Sequence, residues 1–109
     1  MTPEIPSNAE KEAFASEVNA IKTNIKDCKS YIKSLNEEIV IDKGKVTAAQ
    51  ARGLVGDSVR YLMRSKDRRR LVQSYEAQKS AATQDLAIVK EQWYEKYSFP
   101  GGWKRWDQL

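Results

Sequence analysis

Arg60, Arg64 and Arg68 stand four residues apart, with Lys66, Arg69 and Arg70 interleaved among them. On a helix the first three line one face, and guanidinium groups in a row can pair bidentately with phosphates or carboxylates. Tyr61 lies beside this stripe with a ring able to stack on a base. These six basic residues are the candidate contact for phosphate or for an acidic partner. A solvated helix surface is the competing reading, because Asp57, Asp67 and Glu76 are near enough to pair with several of them. No zinc-finger, RNA-recognition or basic-zipper pattern accompanies the stripe, and residues 47–65 carry only a faint helix-turn-helix look. Nucleic-acid contact through this segment is therefore expected to be sequence-independent, and an acidic protein surface suits it at least as well.

The second candidate surface is aromatic. Trp93, Tyr94, Tyr97, Phe99, Trp103 and Trp106 are six of the chain's ten aromatic residues and fall within its last seventeen positions. Pro100-Gly101-Gly102 ends the preceding helix and turns the chain. Trp103, Trp106 and Leu109 recur every three residues, so one helical turn places them together, with Lys104, Arg105 and Asp107 outside. Tryptophan beside arginine is a common make-up of binding hot spots, which marks Trp93, Tyr97, Phe99, Trp103, Arg105, Trp106 and Leu109 as candidate partner-binding residues. The alternative is that the tail folds back and plugs the core at the open end. Stable membrane binding is not expected from so short and weakly cationic a segment.

Other chemistry finds little footing. The chain has no histidine, which removes the commonest general base and the commonest metal ligand. The single cysteine, Cys28, allows no internal disulfide and no cysteine-rich metal site, and its place on an apolar stripe reads as a small buried hydrophobe. Neither a phosphate-binding G-x-x-x-x-G-K loop nor a G-x-G-x-x-G turn occurs. No catalytic residue, cofactor, metal or small-molecule substrate is expected. The N-terminal Met1-Thr2-Pro3-Glu4-Ile5-Pro6 lacks the basic start and apolar run of a secretory signal, so the expected location is the cytoplasm or the inside of a macromolecular particle.

The net charge of +4 is unevenly distributed. Residues 1–42 carry five basic and eight acidic side chains, residues 43–79 ten and three, and residues 80–109 four of each. The whole surplus thus comes from the middle of the chain, and charge localised in this way bears on partners more than on fold.

The elements that position both surfaces follow from hydrophobic spacing. Phe14, Val18, Ile21, Ile25, Cys28, Ile32, Leu35 and Ile39 alternate steps of four and three, an average period of 3.5 that only a helix packed lengthwise on another helix requires. Ser7 with Glu10 forms an S-x-x-E capping box, which starts this helix just after Ser7. It is expected to end near Asp42, with Gly44 as its left-handed stop. The β-branched run Ile39-Val40-Ile41 could suit a strand, but the helical phase holds through Ile39. Thr47 with Gln50 reads as a second capping box, opening a short connecting helix that bends at Gly53 and Gly56, after which Asp57 caps a new helix.

That last helix is uninterrupted by proline or glycine until Pro100. Its seam runs through Val72, Tyr75, Lys79, Ala82, Leu86, Val89 and Trp93, and in the same phase backward through Arg68, Ser65 and Tyr61 to Leu54. The segment 64–70 has no apolar residue and could be a break between two helices. Folding the chain back would bring together residues whose numbers sum to about 110. Trp93 or Tyr97 then covers Phe14 and Val18, and Val72 and Tyr75 meet Leu35 and Ile39.

The expected fold is therefore all-α: an antiparallel, coiled-coil-like helical hairpin with a short connecting helix and an aromatic C-terminal tail. Its parts are an extended arm over residues 1–7, the hairpin over 8–97 and the docking tail over 98–109. One stripe per helix buries too little to offset the ordering of the chain, so something else must pack on it. Residues 47–63 could supply a third helix through Ala48, Ala51, Val55, Val59 and Leu62; otherwise self-association or a protein partner, the more expected outcome, completes the core. The function this implies is that of a structural or adaptor protein, such as a subunit of a larger complex or a virion. The alternative is a small nucleic-acid-binding protein acting through residues 60–70.

Overall fold

The structure is a computed structural model and describes residues 6–97. Among the described residues there are two helices and no strand: α1 over Asn8–Ala51 and α2 over Val55–Tyr97. They pack against each other as an antiparallel helical hairpin, the expected fold class. The extended arm falls largely, and the aromatic tail wholly, outside the described residues.

The start of α1 is the expected capping box. The Glu10 N–H donates to Ser7 Oγ at 3.1 Å, and the Ser7 N–H reaches back to Glu10 Oε1 at 3.5 Å. The end of α1 differs from expectation. The helix continues past Asp42 and through Gly44 to Ala51, so the short connecting helix is absorbed into α1. The seam explains this. After Ile39 it goes on through Asp42, Val46 and Ala49 in the same steps of three and four, and Asp42 and Ala49 are buried while Gly44 faces solvent. Continued packing outweighs the roughly 1 kcal/mol that a glycine costs inside a helix. Thr47 makes no N-cap; its hydroxyl donates to the Lys43 carbonyl one turn back at 3.1 Å.

The stop signal belongs to Gly53, whose φ is +70°. The Leu54 N–H donates to the Ala49 carbonyl at 2.9 Å and the Gly53 N–H to the Gln50 carbonyl at 3.1 Å. That pair of bonds is a Schellman motif, which satisfies carbonyls left open at the end of α1. Helix α2 begins two residues later, so Asp57 lies in its first turn instead of capping it, and Gly56 lies inside the helix. From Val55 to Tyr97 α2 is a single helix with no break at residues 64–70.

The chain divides into two units, one of Met1–Lys26 with Ser80–Leu109 and the other of Asp27–Lys79. The first has an apolar core. Phe14 and Val18 are buried, with Leu86, Val89 and Trp93 packed on them. Phe14 stacks on Trp93 with ring centroids 4.3 Å apart, and Trp93 meets Tyr97 at the same separation but tilted by 54°.

The second unit keeps the same antiparallel pairing with a different interior. Tyr31 meets Tyr75 at 5.1 Å, one turn before the Leu35 contact expected for Tyr75. Nearer the turn the buried positions are Asp42, Ala49, Ser58 and Ser65, which are small or polar. Meanwhile Val59, Leu62 and Met63 are about half exposed. In this stretch of α2 the larger aliphatic side chains lie off the seam, and the seam itself is filled by Ser58, Tyr61, Ser65 and Arg68.

Candidate functional site

The displaced apolar residues of the second unit line a groove. Val46 and Thr47 of α1 face Val59, Leu62 and Met63 of α2 across a space of about 630 Å³. Ser65 lies at its floor, and Lys43, Lys66 and Arg69 complete its lining. No carboxylate lines the groove, and none of the three cations enters an ion pair among the described residues. The Ser65 hydroxyl is buried without a hydrogen-bond partner, a cost of about 1–3 kcal/mol for a polar group removed from water.

A simple spacing builds this arrangement. On α2 the seam positions Ser58, Tyr61, Ser65 and Arg68 are each followed by a residue of a second stripe: Val59, Leu62, Lys66 and Arg69. One residue further along is about 100° further around the helix, so the second stripe flanks the seam. Its signal in the sequence is a second heptad phase beside the first, masked by the arginines of the polar seam.

The candidate basic residues do not form one continuous face. Arg68 turns into the seam, where it donates to the buried carboxylate of Asp42 and places Nε 3.0 Å from Glu38 Oε2. The hydrogen bond to Asp42 holds the Arg68 guanidinium pKa above its ordinary value, with both carboxylates contributing charge. Arg60 pairs with Asp57 at 3.0 Å and lies 5.4 Å from the Tyr61 ring centre. Arg64 and Lys45 approach the same ring at 5.8 and 5.4 Å. Tyr61 is thus half-buried and ringed by cations of its own chain. Lys66, Arg69 and Arg70 are exposed, and two of these three line the groove.

Of the candidate aromatic residues, Trp93 and Tyr97 serve the core of the first unit. Tyr97 is 4 % exposed, and its hydroxyl donates to Glu10, the same carboxylate that caps α1. This bond, helped by Ser7, lowers the Glu10 pKa below the ordinary 4.5. The same bond, together with burial, raises that of Tyr97 above the ordinary 10.0. Lys96 adds a weak ionic contact to Glu10 at 3.9 Å. Phe99, Trp103, Arg105, Trp106 and Leu109 lie outside the described residues.

Cys28 is buried in the α1 seam, as its spacing indicated. Among the described residues no cluster of histidine, cysteine, aspartate and glutamate could hold a metal ion. None of their helices is long and apolar enough to cross a membrane. Comparison with protein families, with curated proteins and with solved structures finds no match to this chain.

Proposed function

We propose that this chain is a non-enzymatic structural or adaptor protein, assembling by helix packing and docking to protein through surfaces outside its own seam. One observation carries this reading. The hairpin satisfies its first seam internally, yet Val59, Leu62 and Met63 stay about half exposed together in one groove of the unit that contains the turn. Apolar side chains grouped in this way mark sites of protein association. The Trp-rich segment 98–109 supplies a second docking element, through the hot-spot chemistry of tryptophan and arginine. A subunit of a larger complex or particle is the setting that fits both. Native mass by light scattering, with and without residues 98–109, tests the reading.

Contact with nucleic acid through residues 60–70 is the second reading, favoured by the concentration of charge there. Arg68 and Arg60 already have carboxylate partners, which leaves Arg64, Lys66, Arg69 and Arg70 for phosphate. Binding to an oligonucleotide that falls steeply with salt and is lost in Arg64→Glu/Arg69→Glu would support it. This pair avoids the seam, so the loss would not report misfolding.

A further inference from the structure

We propose that the groove between α1 and α2 in the unit Asp27–Lys79 receives one amphipathic helix of a partner protein, with acidic residues flanking its apolar stripe. This rests on the adaptor reading and names the class of partner. The groove walls repeat at helical spacing from Val59 to Arg69, about 15 Å along α2, which matches some three turns of a third helix. A helix laid there covers Val46, Val59, Leu62 and Met63 and completes locally the three-layer core that small buried residues such as Ser58, Ser65 and Ala49 do not supply.

Charge selects the occupant. Lys43 from α1 and Lys66 and Arg69 from α2 share the lining with the apolar side chains, with no carboxylate among them, so glutamate or aspartate beside the partner's apolar stripe meets cations from both helices. A nucleic acid could use the cations but has no use for the methyl groups between them. A second copy docked through the same groove about a two-fold axis would bring a second set of the same three cations and no lining carboxylate into one interface. The chain's own segment 98–109 carries Lys104 and Arg105 against Asp107, the wrong sign for this site.

The test uses the full chain and a fluorescent helical peptide of about five turns, with leucines at heptad a and d positions, glutamate at the flanking e and g positions and alanine or glutamine elsewhere. A control peptide replaces each glutamate by lysine. Anisotropy is read at low and high salt, with Leu62→Glu and with Lys66→Glu/Arg69→Glu. All three positions are exposed, so helicity and unfolding temperature should stay at the parent values and confirm folding. The expected result is binding of the acidic peptide alone, weakened by salt, with a loss of about tenfold or more in each variant.

Equal binding of the lysine peptide, or full binding by both variants, overturns the proposal. So does an oligonucleotide that binds through Lys66 and Arg69 while the acidic peptide does not. A native mass that falls on Leu62→Glu in the absence of peptide assigns the groove to a second copy and also overturns it. Assembly without peptide binding sinks this proposal and leaves the adaptor reading standing. Peptide binding by a chain that is a monomer at every concentration supports the groove while removing self-assembly.

Discussion

Arg68 donates a hydrogen bond to Asp42 at the point where the two seams meet, and Asp42 is 1 % exposed. Each residue occupies a position that an apolar side chain would otherwise fill. A buried pair of this kind adds less to stability than packed hydrophobes of the same volume, but breaking it from one side is costly. A slip of either helix by one turn would leave Asp42 buried and unpaired, so the pair disfavours other registers.

Arg68→Met should therefore lower the thermal unfolding temperature, and Asp42→Leu/Arg68→Leu should return it to the parent value or above. Arg68→Lys should restore only part of the loss, because an ammonium lacks the planar fork that presents one nitrogen to Asp42 and another to Glu38. Circular dichroism melts of the four proteins check this. A double variant as unstable as Arg68→Met would show that the pair does not act as a unit.

The Glu10–Tyr97 bond gives the first unit a definite pH response. Glu10 titrates below its ordinary 4.5 in the folded chain, so its contribution is present above that value and is lost as the pH falls through the folded one. Tyr97 titrates above its ordinary 10.0, so its contribution is present below that value and is lost as the pH rises through the folded one. Unfolding temperatures of the parent and Tyr97→Phe should differ most between these limits and converge at both extremes. A difference that does not change with pH would contradict the assignment.

The two glycines that compete as the stop signal for α1 should respond oppositely to alanine. Gly44 is mid-helix, and an added methyl there would meet no atom within 4 Å, so Gly44→Ala should stabilise by about 1 kcal/mol. Gly53 has φ +70°, so Gly53→Ala should destabilise by about 1 kcal/mol even though nothing crowds it. Urea unfolding of both variants gives the two signs directly.

Ser65→Ala should stabilise by about 1 kcal/mol or more, because it removes a buried hydroxyl that has no partner among the described residues and places a better helix former in α2. A loss in thermal melts would instead mean that the hydroxyl is satisfied in solution and that the floor of the groove is polar.

Much of the fold is legible in the residues, for a physical reason. An apolar seam that holds one phase over eight positions admits one element type. Antiparallel pairing at a sum near 110 places Phe14 against Trp93, and the S-x-x-E spacing marks the cap at Ser7 and Glu10. The end of α1 is not legible, because Gly44 and the Thr47 capping signal are local, whereas the packing of Asp42, Val46 and Ala49 is not. The inward turn of Arg68 is half legible: its seam position and the sum near 110 set it opposite Asp42, but Asp42 reads in sequence as the end of α1 and not as a buried seam residue. Val59 and Leu62 read in sequence as the stripe of a third helix; that they instead line an open groove is hidden, because they belong to α2 itself and sit one step out of phase with its seam.

Assembly is best tested by the native mass of the full chain and of residues 1–97, by light scattering over a range of concentrations. The expected values are a mass above the 12.5 kDa of one chain for the full protein, and a shift toward the monomer in the truncated one with helicity retained. A monomer in both, at every concentration, would contradict assembly of the chain with itself and leave only docking to a different protein.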